Sequence, residues 1–130
     1  MQLELLPDEF SVCKLAESAA PELDRPFCFY ARTDAERSLV CPTARVPAGC
    51  AAREDGWRLL RVAGTLDFSL IGVIAGLAAA LAAAEVGVFV VSTFDTDYLL
   101  VRQTQLRTAT AALTRAGHAV RRIERSGVNS

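Results

Sequence analysis

The sequence predicts an α+β protein in which antiparallel sheets carry helices on one face, and three observations predict it. Over residues 1–55, short β-branched and aromatic runs alternate with turn-forming residues. An alanine-rich helix former, Ile71 to Ala84, gives way across Glu85-Val86-Gly87 to Val88-Phe89-Val90-Val91, so the hydrophobic period switches from helical to extended. A second helical stripe, Leu106, Ala109, Leu113 and Ala116, ends at Gly117 with a further apolar run behind it.

The elements follow in order. Leu3 to Leu6, Phe10 to Leu15, Phe27 to Ala31 and Ser38 to Cys41 are short β-favouring runs and predict strands. Pro7, the stretch Pro21 to Pro26 and the polar run Thr33-Asp34-Ala35-Glu36 separate them, the last as a turn or a helix start. This half is strand-rich and helix-poor. Pro42 to Asp55, with prolines and charges and no periodic pattern, reads as the joining segment and divides the chain into 1–55 and 56–130.

Gly56 to Gly64 carries Trp57, Leu59, Leu60 and Val62 and predicts a strand. Thr65-Leu66-Asp67-Phe68-Ser69 supplies a turn and N-cap candidates ahead of a helix from about Leu70 to Ala84. A strand over Val86 to Thr93, a tight turn at Phe94-Asp95-Thr96-Asp97 and a strand over Tyr98 to Val101 follow, and so short a connection favours an antiparallel hairpin. The second helix, capped at Gly117, and a last strand from His118 to Glu124 complete the order β-α-β-β-α-β. That is the split βαβ, ferredoxin-like motif, with two helices over one face of a four-stranded antiparallel sheet. Neither half is large enough to bury its own sheet well, so the two sheets are expected to lie together.

Composition narrows the function. With 52% apolar and 22% charged residues, the 130-residue chain has the balance of a folded body and not of a disordered tail. A formal charge of −1, with no basic run longer than Arg121-Arg122, supplies no surface for phosphates, so no nucleic acid is expected as a partner. Met1 to Glu9 carries acids and a proline where a signal peptide needs a basic start and an apolar core, so a cytoplasmic protein is expected. Cys13, Cys28, Cys41 and Cys50 form no C-x-x-C pair, which points to reduced thiols and away from a zinc site or redox dithiol. Leu70 to Val91 is long enough to cross a bilayer, but its internal change from helix formers to β-branched residues argues for a buried helix then a buried strand, and no membrane is expected.

Two clusters stand out as candidates for chemistry. Asp67, Ser69 and Gly72 surround the predicted start of the alanine-rich helix, where backbone N–H groups lack partners and the dipole favours an anion. Phe94-Asp95-Thr96-Asp97 forms the tip of the predicted hairpin. Each also has a structural explanation: Asp67 or Ser69 as a helix cap, Asp95 and Asp97 as turn residues, Gly72 with Gly76 as a close helix-to-sheet contact. The single histidine, His118, has no nucleophile motif beside it, and neither G-x-G-x-x-G nor a phosphate-binding loop is present. No enzyme, metal or cofactor is expected.

Gly64 to Ala75 (GTLDFSLIGVIA) and Val91 to Val101 (VSTFDTDYLLV) resemble the ACT domains of the CASTOR-type family. That family includes cytosolic arginine sensors of animals and short bacterial proteins akin to the regulatory part of aspartokinase. Phe10 to Leu15 (FSVCKL) and Arg37 to Pro42 (RSLVCP) resemble the first half of those bacterial proteins. The resemblance implies tandem ACT-like, ferredoxin-like repeats with a degenerate first repeat and no kinase domain. It implies a non-catalytic regulatory protein that binds a free amino acid at the junction of two ACT-like halves. By position it implies ligand contacts at Asp67, Ser69, Leu70, Ile71, Gly72, Thr93, Phe94 and Asp97, the acids receiving the ammonium group and backbone N–H groups the carboxylate. The identity of the amino acid and of the regulated protein stays open, and a homodimer is expected because exposed sheet edges pair. The alternative is a protein-interaction module without a small-molecule ligand, presenting the helix Gln103 to Ala116 with Arg102, Arg107 and Arg115.

Overall fold

The computed structural model describes residues 1–63 and 72–124. The chain forms two compact units, one of Met1–Pro7 with Arg58–Ser130 and the other of Asp8–Trp57. Two long strands contribute to both: β1 (Gln2–Leu15) and β4 (Cys50–Val62).

In the unit of Asp8–Trp57 the strand order is β2 (Phe29–Arg32), β3 (Arg37–Pro42), β1, β4. β3 pairs antiparallel with β1 from Phe10↔Pro42 to Lys14↔Ser38, and with β2 from Phe29↔Val40 to Arg32↔Arg37. The run 33–36, ambiguous in the sequence, is a hairpin turn: the Thr33 N–H donates to the Glu36 carbonyl at 2.9 Å, and the Thr33 hydroxyl accepts from the N–H groups of Ala35 and Glu36. One face buries Cys13, Leu15, Ala19, Leu39 and Cys41, with Cys28, Tyr30, Val46 and Cys50 packed against them. All four cysteines of the chain therefore share one apolar layer, and burial pushes the Cys13 thiol up to about 12 and the Cys41 thiol to about 11.

In the other unit the strand order is β7 (Ala119–Arg122), β1, β4, β6 (Asp97–Arg102), β5 (Phe89–Ser92). β1 and β4 run antiparallel: Ala63 N–H donates to the Gln2 carbonyl, Arg61 to Glu4 and Arg58 to the Leu6 carbonyl, partners falling as β1 rises. Helices α1 (Val73–Ala83) and α2 (Leu106–Arg115) complete this unit. Its core joins Leu3, Leu5, Leu60, Val62, Leu77, Leu81, Leu99, Val101, Ala109 and Leu113, which are at most 2% exposed.

The element order and the helix-to-strand switch follow the sequence reading. α1 stops where predicted because Glu85 takes a left-handed φ of 60°, and the N–H groups of Glu85 and Val86 turn back to the carbonyls of Ala82 and Leu81. α2 ends in the same motif at Gly117, with φ 95°.

Three details differ from the sequence reading. The expected four-stranded antiparallel sheet of the second half has a further strand inside it: β1 lies between β4 and β7, and β7 runs parallel to it from Gln2↔Ala119 to Leu5↔Arg122. Leu3 and Leu5 explain this, since both are buried in the core of that unit. Pro7 does not break β1, because its fixed φ suits an extended chain. The stretch Cys50 to Asp55, expected in a joining segment, is already β4, and its exposed, charged residues gave no alternation to reveal it.

The two units share a local plan. β2, its turn, β3 and a 3-10 turn at Thr43–Arg45 reappear sixty positions later as β5, its turn, β6 and a 3-10 turn at Gln103–Gln105. The pairing Phe29↔Val40 matches Phe89↔Leu100, and the Thr33 N–H to Glu36 carbonyl bond of 2.9 Å matches Thr93 to Thr96 at 2.9 Å.

Candidate functional site

The hairpin of β5 and β6 carries three of the candidate residues. Its ladder runs from Phe89↔Leu100 to Ser92↔Asp97, which puts Thr93 and Phe94 in the turn and Asp97 at its closing pair. The Thr93 hydroxyl donates to the Thr96 carbonyl at 3.0 Å, closing the turn as Thr33 closes its counterpart. Thr96 is 7% exposed, and its hydroxyl donates to the Val62 carbonyl at 2.8 Å. That bond ties the hairpin turn to the end of β4. Phe94 is 82% exposed, whereas Asp97 is half-buried.

Gly72 stands directly before α1 with φ 82°, a left-handed conformation open to glycine, and its carbonyl accepts the first helical bond from Gly76 at 2.8 Å. The helix thus begins at Val73, three residues later than the sequence reading, and the N–H groups of its first turn belong to Val73 and the residues after it. Gly72 has no side chain to cap them. Asp67, Ser69, Leu70 and Ile71 lie outside the described residues. The structure therefore brings Thr93, Phe94 and Asp97 together and sets Gly72 at the helix entrance.

The sequence reading missed Thr96, which looked like an ordinary turn residue. It also missed a cleft of about 330 Å³ in the unit of Asp8–Trp57, between the end of β1 (Lys14, Leu15, Ala16, Glu17) and the β2–β3 turn (Arg32 to Arg37). Arg37 forms one wall. Its Nε donates to the Tyr30 hydroxyl at 3.0 Å, Nη1 to the carbonyls of Ala16 at 2.8 Å and Glu17 at 3.3 Å, and Nη2 to that of Ala19 at 3.1 Å. The hydrogen bond from Arg37, with a smaller contribution from Arg32, holds the Tyr30 phenol below its usual range. Signals for this site were the turn run 33–36 and the arginine that follows it.

Among the described residues, no group of three or more His, Cys, Asp or Glu side chains is placed to hold a metal ion, and no helix is long and apolar enough to cross a membrane.

Comparison with known proteins places this geometry. Residues 52–115 match the ACT domain. Protein Atu0741 from Agrobacterium tumefaciens, solved by crystallography, is 31% identical, with a TM-score of 0.84 over 95% of this chain and 94% of that one. The chain belongs to one family with Atu0741, and its residues 52–115 carry the ACT-domain match. The ACT fold is shared more distantly with the ligand-free regulatory subunit of aspartate kinase from Thermus thermophilus, at 10% identity and a TM-score of 0.60 over 88% of this chain and 96% of that one. It is shared too with the aspartate kinase of Clostridium acetobutylicum, at 13% identity and a TM-score of 0.60 over 84% of this chain but 32% of the kinase. Among curated proteins none matches. An ACT domain is a regulatory module and not a catalytic one, and the matched stretch spans β5, β6, α1 and α2.

Proposed function

We propose that this ACT protein is a cytoplasmic, non-catalytic sensor of a free amino acid, of the CASTOR-type branch, with tandem ACT-like halves of which the first is degenerate. The bond from Thr96 to the Val62 carbonyl carries the reading, because it fixes the Asp97 hairpin beside the strand end that leads into Asp67 and Ser69. On this reading Asp67 and Asp97 receive the α-ammonium group, while Thr93, Phe94, Ser69, Leu70, Ile71 and Gly72 border the rest of the ligand. The sixty-residue correspondence between the two hairpins supports the tandem arrangement. The regulated protein and a second copy of the chain are the partners this role calls for.

Asp97→Asn tests the site. A charge-assisted hydrogen bond contributes roughly 1.5 to 3 kcal/mol, so calorimetric affinity for the amino acid that binds wild-type protein should fall about ten- to a hundred-fold. Unchanged affinity in a folded Asp97→Asn protein contradicts the assignment. The 82% exposure of Phe94 favours the second reading, an interaction module without a ligand, under which that residue docks a protein and no amino acid binds.

A further inference from the structure

The shared hairpin plan makes the two halves comparable residue by residue, and one position differs in sign of charge. The residue that opens β3 is Arg37, and the residue that opens β6, sixty positions on, is Asp97. Where the second half presents an anion, the first half supplies a cation of its own. The guanidinium of Arg37 reaches three backbone carbonyls, those of Ala16, Glu17 and Ala19, and the Tyr30 hydroxyl, while its central carbon lies 5.8 Å from the Tyr30 ring centroid. The four acceptors are divided among Nε, Nη1 and Nη2, a spread that matches the planar fork of a guanidinium and that the single nitrogen of an ammonium group does not span.

The loop is built around this contact. Ala19 N–H donates to the Ala16 carbonyl at 3.0 Å and Ala16 N–H to the Gly49 carbonyl at 2.9 Å, so the segment 16–19 is a turn with its carbonyls gathered toward Arg37. The cleft beside it keeps its volume but has lost these backbone acceptors to the arginine. What remains at its rim, Lys14, Glu17, Arg32, Asp34 and Glu36, is exposed, and charges in open water hold a small ion weakly.

We infer that the carbonyls of Ala16, Glu17 and Ala19 with Tyr30 form a guanidinium site that the chain fills with its own Arg37, so that the first half is self-liganded and takes up no amino acid. The second clause rests on the proposed function; the guanidinium site does not.

The test replaces the side chain and supplies its head group from outside. Arg37→Ala protein should melt several degrees lower than wild type, and millimolar methylguanidinium should recover part of that loss. Methylammonium, which has no planar fork, should not, and wild type should respond to neither. Equal responses of the two proteins, or of Arg37→Ala to the two cations, overturn the site. Should Arg37→Ala not fold, Arg37→Lys keeps the charge without the fork, and amide exchange at Ala16 and Ala19 should then be faster than in wild type; unchanged exchange overturns it. Calorimetric titration of wild type with each of the twenty L-amino acids separates the two claims. Two equivalents of any one overturn the self-liganded half, whereas rescue by methylguanidinium with no amino acid bound upholds the guanidinium site and sinks the sensor reading.

Discussion

At the scale of single residues, Thr96 and Gly72 shape the candidate site without charge. Thr96→Val keeps the shape and leaves the Val62 carbonyl without its donor in a buried place, so we expect a loss of about 1 to 3 kcal/mol in urea unfolding. A change below a few tenths would show that the hairpin is held by other means. Among the described residues, a Cβ at Gly72 would meet nothing within 4 Å, so the cost of a side chain there is read from its φ of 82°. Gly72→Val should therefore destabilise by about 1 to 2 kcal/mol or more, and Gly72→Asn by less, because a β-branched residue tolerates the left-handed region worst. The same unfolding measurement checks the order of the two. These roles were partly legible. Gly72 drew notice as a glycine at a helix start, but only the backbone shows that it stands before the helix. Thr96 gave no signal, because a threonine in a turn looks alike whether its hydroxyl faces water or a buried carbonyl.

At the scale of elements, the helix ends and the inserted strand decide how the ACT unit holds. Glu85 occupies the left-handed position that Gly117 occupies in α2, and an L side chain is strained there. Glu85→Gly should raise stability by up to about 1 kcal/mol, while Gly117→Ala should lower it by about as much. Thermal melts of both variants check this, and equal signs would contradict it. β1 is fastened by Glu4, whose carboxylate accepts from Arg61 Nε at 2.9 Å and Arg121 Nη2 at 2.8 Å, so one side chain links β1 to both β4 and β7. The Arg61 hydrogen bond is the main cause that holds Glu4 below its ordinary 4.5, burial opposing it. A depressed carboxyl contributes stability that is present above the unfolded value and lost as pH falls through the folded one. Stability should thus decline below about pH 4.5, and Glu4→Gln should flatten that decline; an unaltered pH profile would contradict it. The sequence showed the six elements of the second half because helical and extended periods alternate clearly there. It could not show that Leu3 and Leu5 serve that half, because pairing between distant strands leaves no local pattern.

At the scale of the whole molecule, the match of residues 52–115 is to a regulatory domain, and the amino-acid sensor is the claim built on it. A ligand that binds only the folded state stabilises it by mass action, by roughly 2.7 kcal/mol at a hundred times its dissociation constant, which for a chain of this size is several degrees of melting temperature. The direct measurement is a melting scan of the full chain, freed of carried-over ligand by unfolding and refolding, against each of the twenty amino acids at millimolar concentration. The sensor account predicts that one or a few chemically related amino acids raise the transition by several degrees and that Asp97→Asn blunts the rise. A flat response to all twenty from folded protein would contradict it.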